Sequence, residues 1–444
     1  MFRELEPLLR FENNTKGSEI IHSRRSVTLQ LVVRGGRLVF RRKLSPTQVR
    51  ANYKSVSDMR VIISNSMSVA GVYIHIPFCR SRCSYCDFAT GLHEDALAKR
   101  YVHALAKEIS NRSVVAERPR IDTIYFGGGT PSLLKPHQLE LLLSAVNRRF
   151  RVDDNVEITM EMNPGTVDAD LLKQFRAFGV NRASFGAQTF DDKELAKLGR
   201  SHTTADTLKT FSDLRNAGFD NISFDLIAGL PGQTLERWQQ NVNQALELRP
   251  EHLSFYLLEV HEGTPLAEHI RRGIQPQPDE DLAAIMYEWM LGRASEAGYE
   301  HYEISNLCLR GFASRHNTKY WTGEPYFGFG CSAHSYDGQQ RRWSNERDIG
   351  RYLTAVESDA SPIVEQQLLS TADLRSEAVF LGMRLMRGVN TRRHRELFGV
   401  DLNTEHEEEL ARFVDAGLVE IQGDLVRLTR AGALMSNEVF AAFL

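Results

Sequence analysis

Three cysteines, Cys79, Cys83 and Cys86, stand close together as CRSRCSYC, while Cys308 and Cys331 lie far from them and from each other. Thiolates at this spacing in one loop are metal ligands by type. A structural zinc ion takes four protein ligands, usually from two separated pairs, and here there are three with no evident fourth. Three cysteines on a four-iron, four-sulfur cluster leave one iron open to an exchangeable ligand, whereas closed clusters use four. An odd, clustered set of cysteines with no secretory leader argues for a reducing, cytoplasmic setting and against a disulfide framework. His75, inside an apolar run just ahead of the triplet, reads as a packed core imidazole rather than a ligand.

The elements that must position this loop follow from periodicity. Short β-branched or aromatic runs at Val72–Ile76, Thr123–Phe126, Glu157–Met162, Ala183–Ala187, Ile222–Ile227 and Leu253–Leu257 alternate with amphipathic helical patterns. These patterns cover Asp95–Ile109, Pro136–Arg149, Ala169–Phe178, Thr203–Ala217 and Leu235–Leu248, with apolar positions at steps of three and four. Strands alternating with helices predict a parallel α/β sheet. Periodicity alone does not choose between an open doubly wound sheet and a partly closed barrel.

Polar and glycine-rich residues gather at the carboxyl ends of the runs, where parallel α/β folds collect ligands. The first run exits into the cysteine loop and the second into Gly127-Gly128-Gly129-Thr130-Pro131. The third ends at Glu161-Met162-Asn163-Pro164 and the fourth at Gly186-Ala187-Gln188. The fifth carries Asp225 before Gly229-Leu230-Pro231-Gly232, and the sixth reaches Glu259. One large polar-headed ligand across that rim is the economical account.

With 444 residues, 42% apolar and 25% charged, the chain has the composition of a globular protein with a main domain and modest appendages. Its formal charge of −3 asks for neither nucleic acid nor an anionic membrane, and no apolar run is long enough to span a bilayer. The first 66 residues differ: 13 Lys/Arg against 5 Asp/Glu leave a surplus of 8, so the remainder carries −11. Within them, Val27–Arg42 reads as a hairpin turning at Gly35-Gly36. Glu4, Glu6 and Glu12 argue against a mitochondrial presequence. The expected functional start is Met59 or Met67, with the upstream piece an accessory or mis-called leader.

YIHIPFCRSRCSYCDF, from Tyr73 to Phe88, resembles the signature of the radical S-adenosylmethionine (SAM) superfamily. Together with FGGGTPS, EMNPGT, NRASFGAQTF, LGRSH, DLIAGLPGQT and YEISN it is similar to the branch containing HemN, the oxygen-independent coproporphyrinogen III oxidase, and HemW, described as a heme chaperone. The resemblance runs from about Gly71 to the C-terminus. It implies an α/β fold, a partial (β/α)6 TIM-like radical SAM barrel with a small C-terminal winged-helix-like domain. It further implies that Cys79, Cys83 and Cys86 ligate a 4Fe–4S cluster completed by the amino and carboxylate groups of SAM. By the same resemblance Tyr73, Tyr85, Gly128, Gly129, Thr130, Glu161, Gln188, Arg200 and Asp225 match SAM- or substrate-binding positions. Glycines there let the backbone approach a charged ligand, and an aspartate suits both ribose hydroxyls.

Two functions of different class fit this branch. One is an oxidase that cleaves SAM and decarboxylates the propionates of coproporphyrinogen III; the other is a chaperone that keeps the cluster and SAM site and delivers heme to a client, by resemblance a respiratory haemoprotein. The oxidase pattern adds a cysteine two residues beyond the third cluster ligand, where this chain has Phe88. The chaperone pattern contains His-Asn-x-x-Tyr-Trp, present here as His316-Asn317-Thr318-Lys319-Tyr320-Trp321. Both differences favour the chaperone. Imidazole is a common axial ligand of heme and aromatic rings stack on porphyrins, so His316, Asn317, Tyr320 and Trp321 are the expected heme residues, with His334 and Cys331 as lesser candidates. Gly323, Gly328 and Gly330 suggest that this aromatic stretch is a loop closing the open end of the barrel.

The expected division is a basic extension over 1–66, the barrel over 67–305, the aromatic loop and linker over 306–362 and the C-terminal domain over 363–444. In the last, helical patterns at Thr371–Met386, His394–Phe398 and Asn403–Ala416 precede two strands around Gln422-Gly423-Asp424 and a final helix. Its acids outnumber its bases, so a substrate lid or partner surface is expected, not nucleic-acid binding. The sequence is compatible with a homodimer.

Overall fold

The computed structural model of the chain describes residues 28–34, 37–43, 69–112 and 118–444. The chain divides into two units, Met1–Asn65 and Ser66–Leu444. In the first, β1 (Thr28–Arg34) pairs antiparallel with β2 (Arg37–Lys43), Arg34 facing Arg37, at the place where the sequence predicts a hairpin. Gly35-Gly36, Met59 and Met67 lie outside the described residues.

The second unit is built on β3 (Ala70–Ile76), which leads into the cysteine loop through β4 (Phe78–Cys79) and β5 (Gly91–Leu92). Then come β6 (Arg120–Gly128), β7 (Arg151–Met162), β8 (Arg182–Gln188), β9 (Ile222–Ala228) and β10 (His252–Leu257). Strands β3 and β6 to β10 pair in parallel, each beside its predecessor in the chain. A doubly wound sheet reverses its order partway; these six strands never do, and they wind one way as a partial (β/α)6 barrel.

Helices between the strands begin where the sequence supplies caps. Asp168 accepts from the Leu171 amide, Thr203 and Asp206 form a capping box, and Thr234 accepts from Arg237. The helices Asp95–Asn111, Pro136–Arg149, Ala169–Ala177, Thr204–Asn216 and Leu235–Glu247 fall within two residues of their predicted ends.

Every barrel strand alternates. Val72, Ile74, Ile124, Phe126, Ile158, Met160, Ala183, Phe185, Ile222, Phe224, Leu253 and Phe255 belong to one hydrophobic core beneath the helices. The intervening residues, facing the lumen, are polar: Tyr73 and His75, Thr123 and Tyr125, Thr159 and Glu161, Arg182 and Ser184, Ser223 and Asp225, His252 and Ser254. The side-chain period of two sets this division.

Beyond the predicted strands the sheet continues on both sides. A hairpin of β11 (Glu300–Glu303) and β12 (Asn306–Cys308) adds antiparallel to β10, and β13 (Tyr326–Phe329) adds parallel to β3. After it β14 (His334–Tyr336), β15 (Arg341–Asn345) and β16 (Ile363–Leu368) run antiparallel to the outer edge. The C-terminal segment has helices Thr371–Arg384 and Thr391–Phe398 and a sheet of β17 (Val389–Asn390), β18 (Val419–Gln422) and β19 (Leu425–Leu428), ordered β17-β19-β18. The predicted helix Asn403–Ala416 is broken into Leu402–Glu405 and Glu407–Asp415 at His406.

The His-Asn-x-x-Tyr-Trp stretch departs from its expected form. It is not a loop: Arg315–Thr322 is a helix, capped by Ser314 and ended at Gly323 with φ 66°. Nor does it lie at the mouth. Its His316 ring meets Thr123 and Gly71, near the amino ends of β6 and β3, so the helix plugs the floor of the barrel, opposite the cysteine loop. Glu157 of β7 accepts from the Arg315 and His316 amides at 3.2 and 3.1 Å, a carboxylate at a helix N-terminus. Trp321, 3% exposed, is covered by the Arg384 guanidinium at 4.3 Å from its ring centroid, and Arg384 is held by Glu303 of β11. The motif thereby ties the barrel floor to the C-terminal helices. Trp321→Ala is expected to lower unfolding free energy by about 3–5 kcal/mol in denaturant titrations; a loss below about 1 kcal/mol would show that the plug contributes little.

Candidate functional site at the barrel mouth

The cysteine loop is fastened from four directions. Phe78 and Cys79 pair with Gly91 and Leu92 at its neck. The Gly129 and Thr130 amides donate to Ile76 and Phe78 carbonyls, each at 2.8 Å. Ser84 donates to the Leu198 carbonyl and accepts from the Leu266 amide. Backbone rigidity of this kind holds three side chains at fixed separations.

Cys79, Cys83 and Cys86 are all partly buried and free. The Thr130 hydroxyl lies 3.5 Å from the Cys79 sulfur, and Arg200 Nη1 lies 3.4 Å from the Cys83 sulfur. Burial pushes the Cys79 thiol up to about 11 and raises Cys86 as well. Thiols so placed are neutral until a cation binds them. Among the described residues no three His, Cys, Asp or Glu side chains converge on a single metal ion. A cubane places its thiolate ligands on separate irons, so three thiols on one fastened loop, with a guanidinium beside one sulfur, fit the cluster expected from the sequence.

The glycine triplet packs closely against the cysteine loop. Its amides are already used: Gly128 donates to Glu161 Oε2 at 3.0 Å, and those of Gly129 and Thr130 go to the cysteine loop. A side chain at Gly128, where φ is 114°, would strike the His75 ring, and one at Gly129 would strike the Pro77 and Phe78 backbone. The glycines are required first by the close approach of β6 to the loop. What they leave for a ligand is acceptor oxygen, suited to an ammonium group rather than an anion.

Around the mouth the remaining expected residues do come together. Arg200 Nη2 donates to Asn163 Oδ1 and the Gly186 carbonyl at 2.7 and 2.6 Å, and Asn163 donates to Thr130. Arg80, Cys83, Thr130, Asn163, Arg200 and His202 line one cleft. Gln188 has φ 65° at the centre of a tight turn, with Thr189 N–H bonded to the Ala187 carbonyl at 2.8 Å. Such a conformation is strained for a residue other than glycine, and strain of this kind collects at functional sites. Tyr85 joins a small apolar cluster of Leu198, Ile227, Leu230 and Leu258, apart from the main core, which offers a flat apolar surface beside the cysteines.

Glu161 and Asp225 sit inside the mouth, remote from bulk water yet with surface open to the lumen. Burial raises both; Tyr125, donating to Glu161 at 2.8 Å, opposes this for Glu161, and Ser254 opposes it for Asp225. Ser184 Oγ lies 3.4 Å from Asp225. Tyr73 stacks on Tyr125 and on His316, its hydroxyl 3.1 Å from His75 Nδ1. His75 is also bonded to the Ala89 carbonyl and is pushed down to about 4 by burial, in keeping with a packed imidazole. Asn163 and Ser184 lie inside the quoted stretches EMNPGT and NRASFGAQTF without having been given a role, and Tyr125 is outside them all, its one signal a polar group at an alternate position of an apolar strand.

The expected heme residues do not fit an iron. His316, 1% exposed, has both ring nitrogens engaged, Nδ1 with Thr123 and Nε2 with the Tyr320 hydroxyl, each at 2.8 Å. Burial drives its pKa down to about 3, as for a neutral core imidazole. Asn317, Tyr320 and Trp321 are buried with it. Cys331 is sealed against Tyr101, whose hydroxyl accepts from its amide at 2.9 Å, and burial raises the thiol to about 12. Neither site presents a ligand atom to a porphyrin.

Comparison with known proteins agrees with this geometry. The model of the radical SAM superfamily matches residues 73–245, and that of the HemN C-terminal domain matches residues 369–435. The heme chaperone HemW of Bacillus subtilis is 38% identical over 84% of this chain and 98% of its own length, and that of Lactococcus lactis is 35% identical over 84% and 96%. The coproporphyrinogen III oxidase HemN of Escherichia coli superimposes with a TM-score of 0.75 at 22% identity, covering 85% of this chain and 90% of that one, a likeness of fold. A three-cysteine loop above a one-way barrel, matched nearly end to end by these relatives, makes the chain a member of the radical SAM superfamily and, within it, of the HemW family.

Proposed function

We propose that this protein is a heme chaperone that carries a 4Fe–4S cluster and SAM and passes heme to a client haemoprotein. The observation that carries the reading is the pairing of a cysteine loop with near-complete coverage of the HemW chaperones. Cys79, Cys83 and Cys86 would hold three irons, and the fourth would take the amino-acid end of SAM. The acceptor oxygens of the Gly128–Thr130 turn suit its ammonium, Arg200 its carboxylate, Asp225 its ribose, and Tyr85 with its apolar neighbours its adenine. When bound, such a cluster supplies an electron that can cleave the sulfonium; the residues named here bind, orient and exclude water.

Phe88, 46% exposed, occupies the position where the oxidase pattern has a further cysteine, which supports delivery over decarboxylation. Heme binding is read from family membership; the floor helix is assigned a structural role.

Anaerobic reconstitution is expected to give about four irons per chain, with alanine at Cys79, Cys83 or Cys86 removing most of them; full iron in all three variants would refute the cluster assignment. Purified protein should bind heme with a Soret band that His316→Ala leaves in place, because that imidazole has no open nitrogen; loss of the band in folded variant protein would return the ligand to His316. The reconstituted protein should not convert coproporphyrinogen III to protoporphyrinogen IX. Conversion would move the assignment to the oxidase.

A further inference from the structure

Among the described residues, one buried guanidinium of the lumen has two nitrogens without a hydrogen-bond partner. Arg182 of β8 is 1% exposed, and its Nε and Nη1 lack any hydrogen-bond acceptor. Beside it in register on β7 is Thr159, whose hydroxyl is likewise unpartnered. A guanidinium carries a permanent charge, and burial without hydrogen-bond partners opposes that charge. No expectation from sequence or kinship assigns it a role.

Strand geometry gives its position. Arg182, Ser184 and Gly186 face the lumen in succession, Ser184 pairing with Ser223 and Gly186 with Asp225. Arg182 therefore stands on the floor side of Ser184, which itself reaches Asp225 at 3.4 Å. Asp225 is also flanked by Ser254 of β10, its register neighbour.

Five titratable or charged groups act on Asp225, Arg182 on β8, Glu161 on β7, Tyr125 on β6, Tyr85 in the cysteine loop and Arg200 after β8, and His252 of β10 lies two residues before Asp225's register neighbour Ser254. Burial keeps Tyr125 and Tyr85 as neutral phenols and drives His252 well below its usual range, with its ring nitrogens bonded to Ser223 and Tyr302. Glu161 opposes a second negative charge beside it. Arg200 is shared among the Cys83 sulfur, Asn163 and Gly186 and, in the proposed site, the ligand's carboxylate. Arg182 is the cation whose charge no local acceptor absorbs.

We infer that Arg182 is a positioning residue of the ligand site, whose uncommitted charge keeps Asp225 a carboxylate able to accept from both hydroxyls of a ribose. The inference rests on the proposed binding of SAM at the mouth. Two carboxylates in one lumen resist joint ionisation; a buried cation below them, little screened by salt, relieves this without occupying the ligand's space. A neutral Asp225 would offer one acceptor fewer and a donor in its place. Removing the charge raises the pH at which Asp225 takes up a proton, so ligand affinity is lost from the acid side first.

The test uses the full reconstituted chain and S-adenosylhomocysteine, which carries the same ribose and undergoes no cleavage, with affinity measured from about pH 5.5 to about pH 8.5. Arg182→Met is expected to bind about tenfold more weakly than wild type near the acid end and within about twofold of it near the alkaline end, a shift of about one unit in the acid limb. Arg182→Lys should retain the wild-type profile, and Arg182→Met should add nothing in an Asp225→Asn background. An unchanged profile, or weakening by the same factor at every pH, overturns the inference. If Arg182→Met does not fold, the carboxyl carbon resonance of Asp225 in wild-type protein, assigned by its absence in Asp225→Asn, decides: a carboxylate at about pH 6.5 supports the inference and a neutral acid there defeats it. Wild-type protein that binds no S-adenosylhomocysteine sinks the SAM reading instead, and the resonance still judges the charge.

Discussion

The constraint on which the rest depends is the alternation of the barrel strands, apolar outward and polar inward. A small parallel barrel usually fills its interior with branched aliphatic residues. Here the aliphatic residues form the shell beneath the helices, and the lumen holds tyrosine, serine, threonine, histidine, two carboxylates and an arginine. Buried polar groups need partners, and the partners are found in layers: Thr123 with His316 at the floor, Tyr125 with Glu161 above, Ser184 with Asp225 beside them. Toward the mouth the pairing is looser and the surface more open. That opening, unlike the floor, has room for polar groups from outside the chain.

The two ends of the barrel have been given opposite tasks. At the carboxyl ends, glycines, a strained glutamine and a fastened loop bring backbone and sulfur close together. At the amino ends, the helix Arg315–Thr322 closes the floor, its first amides on Glu157 and its tryptophan under Arg384. A motif that reads chemically as a heme clamp is therefore engaged as a joint between barrel and C-terminal helices. Its residue types are explained by packing: an imidazole with a hydroxyl at each nitrogen and aromatic rings stacked edge to face.

Chaperone and oxidase share this architecture, which illustrates that a fold hosts more than one function. The two sequence differences between them lie at opposite ends of the barrel, Phe88 beside the cysteines and the His-Asn-x-x-Tyr-Trp helix at the floor. Phe88 adds an exposed apolar ring beside the cysteine loop where the oxidase pattern has a thiol.

Much of this was legible in the residues themselves. The six parallel strands, the five helices after them and the cysteine loop follow from periods of 2 and 3.6 and from side-chain chemistry, which are local properties of the chain. The later strands β11 to β16 were not legible, because most are of three to five residues and β12 and β13 join the sheet only through distant β10 and β3. Sequence determined which atoms are available: three thiols, a glycine turn, two carboxylates, a His-Asn-x-x-Tyr-Trp segment. Only the tertiary structure decided that the six strands wind in one direction, that the glycine amides are spent within the protein, that His316 is buried at the far end from the cysteines, and that Arg182, among the described residues, keeps two buried nitrogens without hydrogen-bond partners. Each of these depends on which segments meet across the barrel, and burial and hydrogen bonding between distant segments have no period along the chain.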